Sequence, residues 1–459
     1  MDGADLAFAG VARQAELLRS GEVSSRELVE VYLERIERLQ PELNCFSNVM
    51  AERALVEAQQ ADARLGAREQ RPLLGVPMAV KEVHDVAGEV TTFGTAAHDN
   101  RPAARDSRIV ERLRSAGALI IGKTNTPELA IMGDTEGPAF GITRNPWDSE
   151  RSAGGSSGGS ASAVAAGLCA AATASDGAGS IRYPAANCGT FGLKPQRNRV
   201  SMAPYEDHWH GLSVSGFATR DVRDTALLLD IAAEQRPEQP FTESAARPPG
   251  RLRVATSTRP PIPAPVHPCL KRAVADTGEL LRSLGHSVER SDPAYGLAGN
   301  AIMVRFLRGI SDDAKAMPRP SRLQRRTRGF RLMGSLFPDF ELRRARAREQ
   351  PDRERINRIF DQHDVLITPM TAKPPPRAGR WEGLPALPTL LGMTSVYPFA
   401  VVWNMTGQPA ASVPAGTSED GLPIAVQLVG RPGEEATLLS LAAQIQAERR
   451  WPERRPPLS

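Results

Sequence analysis

Cysteine is scarce: four residues in 459, Cys45, Cys169, Cys188 and Cys269, widely spaced and never as C-x-x-C. That excludes both a disulfide framework and a zinc knuckle. An excess of charge of one sign is missing too, since 57 Lys+Arg against 53 Asp+Glu leave a formal net charge of +4, and no nucleic-acid partner follows from so even a balance. The one basic stretch, Arg319 to Arg348, alternates with apolar residues. It reads as a solvated helical face, with a substrate entrance or partner surface as the alternative. Long apolar runs are absent: no charge-free segment reaches the ~18 residues of a membrane span. The N-terminus carries Asp2 and Asp5 where a secretory leader needs bases. The expectation is a soluble, cytoplasmic protein with no membrane partner.

What is present is the composition of a globular protein, 41% hydrophobic and 24% charged, with 39 glycines and 38 prolines that imply many turns. Ser24 and Glu27 form a capping box ahead of Leu28, Val31, Tyr32, Ile36 and Leu39, which recur at the helical period. The run from Leu73 to Val80 suits a buried strand that delivers Lys81 at its end, and Ala118 to Lys123 suits a second. A helix between them, Arg105 to Ala116, completes the alternation of an α/β protein whose sheet is covered on both faces. Further on, Ala161 to Ala166 is predicted helical and Cys169 to Thr173 a short strand. The Pro-rich piece from Arg236 to Pro249 reads as a surface connection. Residues 298–359 are predicted to be a helical insertion near the substrate entrance.

Two loops carry the chemistry. The first, Gly154-Gly155-Ser156-Ser157-Gly158-Gly159-Ser160, has the composition of a flexible linker, yet a packed Ala-rich helix follows at once and leaves little to separate. It lacks the Lys-[Ser/Thr] pair of a phosphate loop. It contains G-x-S-x-G, but a nucleophile elbow sits on a strand end, and the polar residues Trp147 to Ser152 ahead of it do not read as a strand. The second loop, Ser175-Asp176-Gly177-Ala178-Gly179-Ser180-Ile181-Arg182, places another serine behind small residues whose backbone N–H groups can converge on one point. An oxyanion hole needs that arrangement, and one such donor is worth about 3 kcal/mol.

Lys81, then Gly-Gly-Ser-Ser-Gly-Gly-Ser, then Gly-Ser-Ile-Arg, together with Gly75-Val76-Pro77 before Lys81, Pro184-Ala185-Ala186-Asn187-Cys188-Gly189 and Gly421-Leu422-Pro423, resemble the amidase signature family. Its defining stretch spans residues 81–192 here, with flanking similarity from Ser24 to Gln427. The resemblance implies one large domain, 1–459, built as a mixed β-sheet core sandwiched between α-helices. It implies Ser180 as nucleophile, Ser156 as a bridging serine after a cis peptide and Lys81 as base. It also implies N–H groups of Gly177, Ala178, Gly179 and Ser180 as the oxyanion hole, Asp176 and Arg182 as supports of that loop, and no metal or organic cofactor. Lysine serves as a base only when neutral, so a pKa near ~10.4 must fall by about three units through burial and nearby dipoles, a cost of about 4 kcal/mol.

The reaction so implied is hydrolysis of a small carboxamide or N-acyl amine to a carboxylic acid and ammonia or amine through an acyl-enzyme on Ser180. Alternatives are the glutaminase subunit of a tRNA-dependent amidotransferase, an amide-forming acyltransferase, an esterase, and a non-catalytic binding protein on the same fold. Met132 and Gly133 are expected to line the substrate pocket, with Met303 and Phe306 near it. The expected partner is a small-molecule amide, with a homodimer as the alternative to a monomer. Cys188 reads as a small buried residue rather than a nucleophile, and His208-Trp209-His210 as pocket or loop packing, since two histidines without a third ligand make no metal site. Two positions depart from the family loop, Ser175 for Thr and Ala178 for Gly. An alanine there changes the oxyanion hole if positive φ is required and only the pocket wall if it is not.

Overall fold

The computed structural model describes residues 2–235 and 237–459; Arg236, the first residue of the expected 236–249 connection, lies outside them. Helix α1 (Ser25–Leu43) starts where the sequence predicts, with both hydrogen bonds of the Ser24–Glu27 capping box formed. Strands β1 (Phe46–Val49), β2 (Pro77–Lys81) and β3 (Leu119–Thr124) follow. Next come helix α2 (Gly158–Ala165), strand β4 (Ala172–Asp176), helix α3 (Arg182–Cys188) and strands β5 (Gly192–Lys194) and β6 (Val214–Ala218). The C-terminal half contributes β7 (Arg253–Thr256), β8 (Ser287–Arg290), α4 (Ala298–Ala316), α5 (Arg325–Ser335), β9 (Val365–Pro369), α6 (Ala386–Val396), β10 (Ala410–Thr417) and β11 (Pro423–Gly430).

Five strands pair in the order β1-β3-β2-β4-β6 and six in the order β8-β7-β9-β11-β10-β5. The two sets join where Phe191 and Thr219 exchange backbone hydrogen bonds, so one mixed sheet runs across the molecule. Alternation along its strands divides the core in two. Val365 and Ile367 of β9 face the large cluster that contains the N-terminal helices, while Leu366 faces a second cluster with Ile302, Trp381 and Trp403. This is the period of two expected of a sheet covered on both faces. Among the described residues no helix is long and apolar enough to cross a membrane.

Two local expectations need correction. Residues Trp147 to Ser152 do contain a strand: Asp148–Ser152 pairs antiparallel with Arg144–Asn145. Its polar sequence hid it because this ribbon lies at the surface, with only Ser152 of its five residues buried. The strand expected at Cys169 to Thr173 begins three residues later, at Ala172. Gly167 ends the helical segment with φ +66°, and the chain reaches its register with β2 at Ala172, opposite Ala79.

Candidate active site

Every residue of β2 is buried, and the strand ends by carrying Lys81 into a position without solvent exposure. The Lys81 Nζ atom lies 2.7 Å from Ser156 Oγ and 2.9 Å from Ser175 Oγ. Burial pushes this amine down to about 7, only partly opposed by the Asp176 carboxylate, because an ammonium loses its hydration there without a contacting counter-charge. Burial lowers Lys123 too, but there a carboxylate in contact opposes the shift. Lys123 is equally buried but lies 3.3 Å from Glu82, and it donates to the Val90 carbonyl and the Thr91 hydroxyl.

The loop carrying Ser156 is held from several sides. Gly154 adopts φ +79°, and the Gly155–Ser156 peptide is cis. The Thr135 hydroxyl donates to the Gly154 carbonyl at 2.9 Å and accepts from the Gly158 N–H at 3.1 Å, while Thr126 Oγ1 donates to the Ser156 carbonyl at 2.9 Å. A side chain at residue 155 would press on the Asp134 backbone at 2.7 Å. Asp134 is itself buried and accepts from the Ser152 hydroxyl, Trp381 Nε1 and the Tyr397 hydroxyl.

The second loop turns about Asp176. Arg182 donates to both carboxylate oxygens at 2.9 Å, and its remaining N–H groups reach Gln427 Oε1, Asn404 Oδ1 and the Ala400 carbonyl. Burial alone would raise the Asp176 carboxyl, but Arg182, with Asn404 and Lys194, holds it well below the usual carboxylate range. The expected oxyanion donors divide. Gly179 N–H donates to Asp176 Oδ1 at 2.6 Å, so it is committed to the loop and is not a free donor, a correction to the set read from sequence. The N–H groups of Ala178 and Ser180 have no protein acceptor among the described residues. Positive φ falls on Gly179, at +120°, and not on Ala178. The alanine is therefore unstrained, and its methyl group joins an apolar wall.

Ser180 sits where two cavities meet. One, of about 80 Å³, is lined by Met132, Gly133, Ala178, Met303, Phe306 and Tyr397 among others, and it holds no charged side chain. The other, of about 330 Å³, is lined by Ser156, Ser175, Gly177, His84, His208 and Asp313 among others. Ser156 and Ser180 share this second cavity, and no hydrogen bond joins their hydroxyls; such contacts commonly tighten only when substrate binds. His208 and Trp209 lie in the pocket wall, with Trp209 common to both chambers, whereas Cys188 is buried beside Ala153, away from both.

Sequence reasoning missed Ser175 as a direct neighbour of the lysine, although the residue lies within the motif. It also missed His84, whose Nδ1 lies 2.9 Å from Thr173 Oγ1 and whose Nε2 lies 3.2 Å from Ser215 Oγ. Burial, followed by the charges of Lys81 and Lys123, pushes that imidazole down to about 3. Its only sequence signal was its place three residues after Lys81.

A family model described as Amidase matches residues 27–439. The Mycobacterium tuberculosis protein that bears the amidase name AmiB2 is 53% identical over 465 residues, covering 100% of both chains. The 6-aminohexanoate-cyclic-dimer hydrolase of Paenarthrobacter ureafaciens is 33% identical over 488 residues, which is 97% of this chain and 96% of the relative. A solved structure of 6-aminohexanoate cyclic dimer hydrolase complexed with substrate superposes with a TM-score of 0.92 at 31% identity, covering 98% of this chain and 99% of that one.

Proposed function

The chain belongs to the amidase family and is a hydrolase of carbon–nitrogen amide bonds, and on that premise we propose that Ser180 is its nucleophile, Ser156 the proton bridge and Lys81 the base. The observation that carries these roles is the buried Lys81 amine, 2.7 Å from Ser156 Oγ and pushed down to about 7. A lysine so placed is substantially neutral near pH 7 and can take a proton. Ser180 Oγ attacks the amide carbonyl, and its proton passes through Ser156 to Lys81. Ala178 and Ser180 N–H, beside Gly177, donate to the oxyanion. The same relay returns the proton to the leaving nitrogen, which departs as amine or ammonia. Water then repeats the sequence on the acyl-enzyme, giving the carboxylic acid and restoring Ser180.

Residues 1–459 act in this reading as one catalytic domain with 81–192 as its core, supported by the continuous sheet. A cytoplasmic location is supported by four free, buried cysteines, which suit a reducing compartment. The decisive experiment is intact-protein mass after incubation with a serine-directed phosphonate. One adduct is expected on wild type and none on Ser180→Ala or Lys81→Ala; an adduct that survives Ser180→Ala overturns the assignment.

A further inference from the structure

Both chambers open on Ser180, and they differ in what they can hold. The proton delivered to a departing nitrogen comes, on the reading above, from Ser156. That residue lines the larger chamber and not the smaller one. The leaving amine must therefore occupy the larger chamber, and the acyl group is left with the apolar one.

The larger chamber has one carboxylate in its wall, Asp313, and no lysine or arginine among its described lining residues. The imidazole of His84, pushed down to about 3, adds no cation at neutral pH. Asp313 is fixed on one side only: Trp209 Nε1–H donates to Oδ2 at 2.7 Å and His208 Nε2–H donates to the same oxygen at 3.1 Å. Oδ1 has no protein partner among the described residues. Helix α4 lines both chambers, with Met303 and Phe306 in the apolar wall and Asp313 in the polar one. Phe306 and Asp313 are about 10 Å apart along the helix, at ~1.5 Å per residue. One rigid element thus spans the scissile position.

We infer that the substrates of this enzyme are N-acyl amines with an apolar acyl group, bound so that an ammonium group on the leaving amine pairs with Asp313. The inference rests on the proposed roles of Ser180 and Ser156. An ammonium is the complement that a half-satisfied carboxylate in a chamber without lysine or arginine selects, and a charge-assisted hydrogen bond in such a place is worth about tenfold or more in binding.

The test compares monobenzoyl diamines of two to six methylenes with N-alkylbenzamides of matched length, at pH 8, where the diamine is cationic and Lys81 largely neutral. Wild type is expected to favour the diamine at its best length by about tenfold or more in kcat/KM, chiefly through KM. Asp313→Asn keeps an acceptor for Trp209 and His208, and it should bring that ratio to about one. If this variant does not take the phosphonate, Asp313→Glu is read instead, and its preferred diamine must become shorter. Equal rates for the two series in wild type, or an unchanged ratio in Asp313→Asn, overturn the inference while phosphonate labelling of Ser180 leaves the catalytic roles standing. Absence of both the adduct and hydrolysis overturns the two together.

Discussion

At the scale of single residues, the site depends on one amine kept short of its proton. With Lys81 at about 7, the fraction competent as base falls as pH drops through that value. For a substrate that does not titrate, kcat/KM should lose about tenfold per pH unit on the acid side, with one apparent pKa about 7; a profile flat from pH 5.5 to 8 sinks the role. The same shift affects stability. The folded-state pKa lies below the ordinary 10.5, so between about 7 and 10.5 the unfolded chain binds more protons, and folding is favoured as pH rises. Lys81→Met removes this dependence. It should raise Tm at pH 7 while abolishing hydrolysis, with the gap in Tm closing towards pH 10.5, and calorimetry across that range checks it.

At the scale of elements, the two glycine-rich loops were legible because their chemistry demands small residues at fixed places, and the strand ahead of Lys81 because burial on both faces leaves an apolar run. Their supports were not legible. Asp134 meets Tyr397, Asp176 meets Asn404, and Arg182 meets Gln427 only after the sheet has closed, and no local pattern encodes a contact across more than 200 residues. The Gly179 amide escaped for a related reason, since composition shows that an N–H is available but not that Asp176 takes it. The 175–182 loop yields a sharp prediction. A methyl group at residue 179 would overlap the Tyr183 ring and would sit at φ +120°, so Gly179→Ala must shift the flanking N–H groups of Ala178 and Ser180. Loss of about 100-fold in kcat is expected, the cost of one misplaced oxyanion donor, whereas Ala178→Gly should retain catalysis and chiefly alter acyl selectivity. Matched kcat measurements on benzamides and hexanamides separate the two. The Asp176–Arg182 pair is wholly buried, so Arg182→Met should destabilise by about 3–5 kcal/mol through the stranded carboxylate. A urea midpoint unchanged from wild type would contradict this.

At the scale of the whole molecule, the sheet and the loop after β4 present Lys81 and Ser180, the proposed base and nucleophile, from one side, and the helices from 298 to 396 close over them. Polar contacts tie that cover to the core at several points, among them Trp381 to Asp134, Arg305 to the His210 carbonyl and Arg346 to Asp207. Glu128 accepts from the backbone N–H of Gln324 at 2.9 Å, and Arg326 donates to the Trp381 carbonyl at 2.6 Å while lying 3.4 Å from Glu136. Glu136 is the sensitive member. Burial and the neighbouring Asp134 carboxylate push its carboxyl up to about 7, and Arg326 only partly offsets them. Its folded-state pKa exceeds the ordinary 4.5. The stability it contributes is therefore full below that value and is lost as pH rises through about 7, because the unfolded chain releases the proton first. Glu136→Gln keeps a neutral hydrogen-bonding group and leaves Arg326 its bond to Trp381. The variant should match or fall below wild type in urea midpoint at pH 4.5 and exceed it by about 2 kcal/mol in unfolding free energy at pH 8. Parallel pH curves for the two proteins would mean that Arg326 keeps Glu136 ionised throughout, and that the cover is held by an ion pair rather than by a protonated carboxyl.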